Sequence, residues 1–297
     1  MSRFEMIEPE GLEEALDVMA REGEDVPVMA GGVALMILIK QGIARPKRII
    51  SLRKLDELRR VTYEEGTGLR IGCLVTHRTI ENAPLVRERC PVFAETEHLV
   101  GNVRIRNMGT LGGEICHGDP HSDAAPVLVG LGAALRCAGP GSPSNERTIP
   151  MEAFFVDYLE TALKPGELAL EVIIPDAPRD LRAAYLKHTT ATSTDWPALG
   201  VAAFARGGAG GENGEAADLR IVMGSVESRI REIPGVAELA RGKSGADALF
   251  REIGEYVASR VEPMDDGRAS AWYKKDLTKV YVRRALERVW PAKQGDG

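Results

Sequence analysis

Apolar positions near the N-terminus repeat with the spacing of a helix. Between Leu12 and Ala20, five apolar residues fall at i, i+3, i+4, i+7 and i+8, which places them on one face of an α-helix. Most positions between them are polar, and Gly23 follows, a residue type that often ends helices. The pattern predicts an amphipathic helix within residues 9–23.

The rest of the first half alternates short apolar runs with helical ones. The run at 26–29 leads into Gly31-Gly32 and a second apolar stretch at 33–40, which predicts a strand, a glycine turn and a buried helix. We expect two further strands at 48–52 and 69–72, and helices at 79–89 and 92–100. This alternation is typical of a layered α/β domain.

A proline-rich connection divides the chain. The apolar run at 168–174 ends at Pro175, and the polar segment Pro175-Asp-Ala-Pro178 follows. We therefore predict a first domain over 1–176, with subdomains at about 1–55 and 56–176, and a second domain over 177–297. For the second domain we expect a hairpin of 198–205 and 219–223 around a glycine-rich tip at 207–214, then helices at 246–261 and 272–289.

Composition excludes several classes of protein. The 297 residues amount to about two domains, and 38 Lys and Arg against 44 Asp and Glu give a net charge of −6, which disfavours a nucleic-acid-binding role. The longest apolar runs, at 28–39 and 124–135, fall short of the ~18 residues of a transmembrane helix. No signal-peptide pattern opens the chain. We expect a cytoplasmic protein without a transmembrane segment.

The four cysteines are scattered along the chain. Cys73, Cys90, Cys116 and Cys137 form no CxxC pair, a pattern that favours reduced thiols and disfavours an iron–sulfur cluster on this chain.

Two glycine turns are the main candidates for ligand binding. Backbone amides at a glycine turn that opens a helix can bind a phosphate, and both Ala30–Leu35 and Arg106–Gly113 have this character. Together they could hold one dinucleotide. Neither matches the GxGxxG fingerprint, and Gly242-Lys243-Ser244 lacks the first glycine of a P-loop. The alternative is a pair of ordinary turns without a ligand.

A segment without clear periodicity, residues 105–123, contains further chemistry-bearing side chains. Its length without a predicted helix or strand suggests a functional loop. Residues 116–123 include Cys, His and Asp, but Pro120 prevents the two histidines from sharing a helix face, so a zinc site is disfavoured. Asp123 precedes an apolar helical run and is expected to be its N-cap, or else a partner of ligand hydroxyls.

Six motifs in order resemble one family. They are Ala30-Gly-Gly32, Val103-Arg-Ile-Arg-Asn107, Gly109-Thr-Leu-Gly-Gly113, Gly118-Asp-Pro with Asp123, Pro165-Gly-Glu167 and Val172-Ile-Ile-Pro175. The chain resembles the FAD-binding medium subunit of the molybdenum hydroxylases, the family of xanthine dehydrogenase and aerobic carbon monoxide dehydrogenase. The resemblance implies an α+β fold: a vanillyl-alcohol-oxidase-type FAD-binding domain of two α/β subdomains, followed by a C-terminal domain of a small antiparallel sheet and helices.

The resemblance also implies the residues that contact FAD. In the first turn they are Ala30, Gly31, Gly32, Val33, Ala34 and Leu35, and in the second Thr110, Gly112, Gly113, Glu114, Ile115, Cys116 and His117. Asp123 would meet the ribityl hydroxyls, and Lys187 would lie near the flavin ring and favour its reduced form. No metal site and no catalytic side chain beyond the flavin is implied on this chain.

Three residues depart from the family pattern. Val33 and Ala34 replace the usual Thr or Ser and polar residue, which leaves only backbone amides for the phosphate. Glu114 replaces a common Asn, and its carboxylate would repel a pyrophosphate. We expect Glu114 to turn toward Arg104 or Arg106.

The function implied is electron transfer within a heterotrimer. A small subunit would carry two [2Fe–2S] clusters and a large subunit the molybdopterin, with a dimer of heterotrimers as the assembly. This chain would pass electrons through FAD to an acceptor such as NAD, oxygen or a quinone. A stand-alone FAD-dependent oxidase or dehydrogenase and a non-catalytic phosphometabolite-binding protein are the alternatives.

Overall fold

The structure, a computed structural model, describes residues 3–140, 142–207 and 216–290. Two compact units make up the chain. The first consists of residues 1–119 and 132–176, and the second of residues 120–131 and 177–297. Unlike the predicted first domain, 1–176, the first unit omits residues 120–131, because this short segment packs with the C-terminal part of the chain.

A small parallel sheet opens the first unit. Its strands, in the order β1-β3-β2, are β1 (Glu5–Ile7), β3 (Arg48–Ser51) and β2 (Val28–Met29). Helix α1 (Leu12–Glu22) follows β1, and α2 (Val33–Lys40) follows β2. Both helices were predicted, and α1 ends at Gly23, whose φ of 76° suits glycine. The apolar face of α1 packs on β3 through Leu16 and Ile50, both fully buried.

A five-stranded antiparallel sheet forms the second layer of this unit. Its strands in spatial order are β4 (Val61–Glu64), β5 (Gly68–Gly72), β10 (Leu168–Ile174), β6 (Ala134–Ala138) and β7 (Glu146–Pro150). A 3-10 turn at Asp56–Arg59 precedes β4, while α9 (Met151–Phe154) and the small ladder of β8 (Phe155–Asp157) with β9 (Glu160–Thr161) follow β7. The strands expected at 48–52 and 69–72 are confirmed, and the apolar run at 168–174 forms β10.

Five short helices lie between β5 and β6 in the first unit. They are α3 (His77–Asn82), α4 (Pro84–Arg89), α5 (Pro91–Leu99), α6 (Val103–Met108) and α7 (Leu111–His117). The helix expected at 79–89 is split, because Pro84 has no amide to continue the hydrogen bonding and starts a new helix. The prediction of an irregular segment over 105–123 was wrong. Helices α6 and α7 are too short to show a period, and Asn102 and Thr110 cap them.

The second unit is built on a four-stranded antiparallel sheet. The order is β11 (Arg182–His188), β12 (Leu199–Gly207), β13 (Ala216–Gly224) and β14 (Arg231–Glu232). Its helices are α8 (Ala124–Gly130), α10 (Val236–Ala240), α11 (Asp247–Arg260) and α12 (Ala271–Val289). The core between sheet and helices includes Leu199, Ile221, Phe250, Ile253, Leu286 and Trp290.

The predictions for the second unit are confirmed where the structure describes it. Strands β12 and β13 form the expected hairpin, although residues 208–215 of its tip lie outside the described residues. Helices α11 and α12 match the expected helical segments. The fold class is confirmed as mixed helix and sheet with an antiparallel sheet in the C-terminal part. Among the described residues, no helix has the length and apolar character needed to cross a bilayer.

Candidate functional site

The two glycine turns are in direct contact within the first unit. A Cβ atom at Gly31 would lie only 1.9 Å from the backbone oxygen of Met108, the residue that ends α6. Any larger residue would therefore push the turns apart. Residues about eighty positions apart in sequence are thus brought together, as the two-turn interpretation requires.

The first turn leaves its amides available to a ligand. Gly32 has a φ of 75° and caps α2 without a side-chain hydrogen bond. The amide of Met36 bonds the Gly32 carbonyl at 3.0 Å, so the preceding amides, those of Val33 to Leu35, stand before the first intrahelical bond. They have no acceptor among the residues that the structure describes. Three N–H groups at the positive end of a helix suit an anion.

The second turn uses its amides inside the protein. The amides of Leu111 and Gly112 donate to the carbonyls of Val75 and Cys73, at 3.0 and 2.9 Å. The Gly113 amide donates to the Thr110 hydroxyl at 3.1 Å. Gly112 permits this pairing, because a Cβ there would lie 2.4 Å from the Cβ of Cys73. The expectation that this turn is a second cradle of outward amides was wrong.

The second turn nevertheless offers a hydrogen-bond donor, and a small gap separates it from the first turn. The Thr110 hydroxyl accepts a hydrogen bond from the Gly113 amide. Its own hydrogen stays available as a donor and has no acceptor within the described part of the chain. A Cβ added at Gly113 would lie 2.9 Å from the Thr110 oxygen and 3.7 Å from the Cβ of Ala30. The small gap between the turns at this point is therefore unfilled only because residue 113 is a glycine.

Glu114 lies against a histidine. The Nε2 atom of His77 is 3.3 Å from Oε2 of Glu114. The expectation of Arg106 as its partner was wrong, because Arg106 donates to Glu81 at 2.9 Å and to the carbonyls of Val100 and Gly101. His77 was not singled out from the sequence, since a lone histidine gives no signal before the fold brings it to the turn.

Glu81 is a buried carboxylate at the centre of a charge network. It accepts hydrogen bonds from His98, Arg78 and Arg106. Burial alone would raise the pKa of its carboxyl group, but these donors lower the pKa to about 2. The network fixes α3, α5 and α6 to one another, and α3 and α6 flank the second turn.

The remaining second-turn residues have a mainly structural environment. Ile115 is fully buried in the core, and burial raises the pKa of the Cys116 thiol to about 12, which makes it unreactive. His117 ends α7, and Gly118 follows in a left-handed conformation with a φ of 66°. Across the described residues, no three His, Cys, Asp or Glu side chains converge as metal ligands.

Asp123 and Lys187 form a buried ion pair in the second unit. Lys187 Nζ lies 2.7 Å from Asp123 Oδ2, and each side chain is 6% exposed. Tyr185, two residues before Lys187 on the same face of β11, donates to the other oxygen of Asp123 at 2.8 Å. Asp123 is the N-cap residue of α8, as expected, but its side chain makes no capping hydrogen bond, and the Ser122 hydroxyl accepts from the Ala125 amide. The charge of Lys187 is thus balanced.

A second ionic cluster in this unit was missed by sequence reasoning. Asp266 Oδ2 accepts from Lys274 and His121, at 2.6 and 2.9 Å, and Lys274 also donates to the Ser225 carbonyl. These bonds hold the pKa of Asp266 well below its usual range, against the opposing effect of burial. The cluster ties the segment before α8 to the start of α12.

Comparison with known protein families assigns both parts of the chain. A family described as "FAD binding domain in molybdopterin dehydrogenase" matches residues 2–177. A second, "CO dehydrogenase flavoprotein C-terminal domain", matches residues 184–289.

Curated relatives and solved structures agree with this assignment. The carbon monoxide dehydrogenase medium chain of Hydrogenophaga pseudoflava is 28% identical, with 97% of each chain covered. The glyceraldehyde dehydrogenase medium chain of Sulfolobus acidocaldarius is also 28% identical, over 96% of this chain and 98% of the relative. The structure of carbon monoxide dehydrogenase from Hydrogenophaga pseudoflava matches with a TM-score of 0.90 at 28% identity and 97% coverage of each chain.

Quinoline 2-oxidoreductase from Pseudomonas putida 86 matches with a TM-score of 0.89 at 25% identity, over 97% of this chain and 96% of that chain. The relatives are subunits of oxidoreductases, and the family is defined by its FAD-binding domain. The chain therefore belongs to the FAD-binding subunits of the molybdopterin-dependent dehydrogenases.

Proposed function

We propose that this chain carries FAD in a heterotrimeric molybdenum hydroxylase, takes electrons from the [2Fe–2S] clusters of a partner subunit and passes them to an external acceptor. One observation carries the proposal. In a chain of this family, the amides of Val33 to Leu35 have no acceptor among the described residues, and Ala30 of the same turn borders the gap at Gly113. An anionic cofactor of the size of a pyrophosphate satisfies those amides.

The pyrophosphate is assigned mainly to the first turn. The amides of Val33, Ala34 and Leu35 would donate to its oxygens, and the Thr110 hydroxyl would add one further donor. Because Val33 and Ala34 offer no polar side chain, the main chain carries most of this binding. Gly31, Gly32, Gly112 and Gly113 act by permitting close approach of the backbone.

Asp123 and Lys187 are proposed to serve the ribityl chain and the flavin ring. A carboxylate has about four acceptor positions, and Tyr185 and Lys187 occupy two of them in Asp123. The ribityl hydroxyls of FAD would approach this carboxylate as further donors. Since Asp123 balances the charge of Lys187, we expect the lysine to orient the carboxylate more than to attract electrons into the ring.

FAD, when bound, supplies the ability to accept electrons singly from iron–sulfur clusters and to release them in pairs. The chain's own residues hold the cofactor, orient it and limit its contact with water.

The partners are proposed to be a small iron–sulfur subunit and a large molybdopterin subunit, in a dimer of heterotrimers. The names of the relatives, "medium chain" and "medium subunit", support membership of a larger complex. Helix α2 adds a physical reason. It is apolar on every side, yet only Ile39 is buried, while Ile37 is 47% exposed and the nearby Ile43 is 70% exposed. Such a helix is normally covered.

The cytoplasm is the proposed location. All four cysteines are free thiols, which supports a reducing compartment.

Isolation of the native protein tests the proposal. We expect one FAD per chain by absorbance and co-purification with an iron–sulfur protein and a molybdopterin protein. A purified chain that binds no flavin would contradict the FAD assignment. A lone chain that oxidises a small molecule without partners would contradict the subunit role and favour a stand-alone flavoprotein.

A further inference from the structure

The His77 ring lies between two carboxylates beside the second glycine turn. Its Nδ1 is 2.7 Å from Oε2 of Glu97, and its Nε2 is 3.3 Å from Oε2 of Glu114. Glu97 is fully buried and the His77 side chain is 4% exposed. A buried imidazole with a carboxylate at each nitrogen is a specific arrangement, and the function proposed above does not use it.

His77 is also fixed to the backbone of that turn. Its amide donates to the Gly109 carbonyl at 3.1 Å. The ring also packs closely over Gly109. A Cβ atom added at Gly109 would lie only 2.9 Å from Cδ2 of His77. The ring therefore cannot swing away from Glu114 without disturbing the turn that faces Ala30.

The positions of the protons follow from the two contacts. If Glu97 is ionised, both ring nitrogens must carry hydrogen to face two carboxylates. If Glu97 holds the proton, it donates to Nδ1 and the hydrogen of the neutral ring lies on Nε2. In both cases the hydrogen on Nε2 is on the side of the ring next to Glu114, where the 3.3 Å between Nε2 and Oε2 is a polar contact without the alignment of a hydrogen bond. The remaining arrangement sets the Nε2 lone pair against the Glu114 carboxylate and is unfavourable.

A donor on Nε2 of His77 would restrain the Glu114 carboxylate. Glu114 directly follows Gly113, the residue that borders the gap assigned to the pyrophosphate. An ionised carboxylate free to enter that gap would repel the anion. Arg106 is engaged with Glu81, so it does not restrain Glu114.

We propose that His77, oriented by Glu97, is a positioning residue that holds the Glu114 carboxylate away from the pyrophosphate of FAD. The inference rests on the proposed function and names the device by which this chain tolerates an acid next to its cofactor site.

Two substitutions of His77 test the contacts of its two ring nitrogens separately. In His77→Asn the side-chain amide reaches the Nδ1 position and keeps a hydrogen bond with Glu97, but it is too short to replace the contact between Nε2 and Glu114. In His77→Gln the amide reaches the Nε2 position and keeps a donor toward Glu114. The pair is closely matched in polarity and size, and only one member retains the proposed contact.

The measurement is the dissociation constant of FAD from the full-length apoprotein, followed by flavin fluorescence. We expect H77N to weaken binding by about tenfold or more, which is at least ~1.4 kcal/mol, and H77Q to stay within about threefold of wild type. The double variant H77N/E114Q should recover wild-type affinity, because the repelling charge is gone.

Each result decides the inference. Equal losses in H77N and H77Q, unchanged affinity in H77N, or no recovery in H77N/E114Q would overturn it. If H77N does not fold, E114Q alone decides: affinity equal to or tighter than wild type supports the inference, and a loss of more than about tenfold contradicts it. A wild-type protein that binds no FAD would instead refute the proposed function.

Discussion

At the scale of single residues, the spacing between the two glycine turns controls the site. Gly31 allows contact with Met108, and Gly113 keeps the gap beside Ala30 open. Both effects arise from the absence of a side chain, so neither residue needs to touch the cofactor through a functional group.

The substitution Gly113→Asp should abolish FAD retention. Its Cβ would lie 2.9 Å from the Thr110 oxygen, and its carboxylate would place a second negative charge next to a pyrophosphate. The flavin content of the purified variant measures the effect. Gly11→Asp is the matched control, because nothing lies within 4 Å of a Cβ at Gly11 and Asp is favoured at this N-cap position. Flavin retained at the wild-type ratio in G113D would contradict the site.

The ion pair of Asp123 and Lys187 should matter for stability. Lys187→Met removes the cation that faces the buried Asp123 carboxylate, which costs about 3 kcal/mol in the free energy of unfolding. The double variant D123N/K187M removes both charges and should recover most of that loss. Denaturant unfolding of the apoprotein measures both values. A single variant as stable as wild type would show that the pair contributes little.

At the scale of elements, the short helices around the second turn depend on a shared network of charges. Helices α3, α5 and α6 have six, nine and six residues, lengths at which an isolated helix is not stable in water. Tertiary contacts such as those of Glu81 therefore hold them in place.

The network should make stability depend on pH. The pKa of Glu81 is about 2 in the folded protein against an ordinary value of 4.5, so its contribution is present above pH 4.5 and is lost as the pH falls toward 2. Thermal unfolding across this range measures the effect. Glu81→Gln should lower the stability at neutral pH by about 3 kcal/mol and flatten this acid limb. If E81Q loses as much stability as wild type between pH 4.5 and 2, that loss arises from other carboxylates.

The same helices mark the limit of sequence reasoning. Long periodic segments such as α1, α11 and α12 were predicted because their apolar faces repeat over three or more turns. Helices α6 and α7 were not, since each spans about two turns and is specified by a cap and by tertiary contacts. Likewise, the glycine turns were visible in the sequence, but which turn has free amides depends on the pairing of Gly112 with Cys73.

At the scale of the whole molecule, the exposed apolar side of α2 should bind a partner subunit. Ile37→Asp and Ile43→Asp replace exposed apolar side chains, so the stability of the isolated chain should change by no more than about 0.5 kcal/mol and FAD should be retained. Co-purification with the iron–sulfur subunit should be lost. Gln41→Asp adds the same charge at an exposed polar position and should assemble normally. Intact complexes with both isoleucines replaced would contradict this assignment.

The path of the chain between the units has a consequence for how this protein can be rearranged. The second unit takes residues 120–131 from the middle of the chain, and α8 in this segment packs on its sheet, where Gly130 meets Phe204 and Pro126 meets Gly224. A single genetic crossover near codon 177 would deliver the sheet without the helix that covers it. Chimaeras between relatives therefore keep this packing intact only if they exchange both stretches of gene.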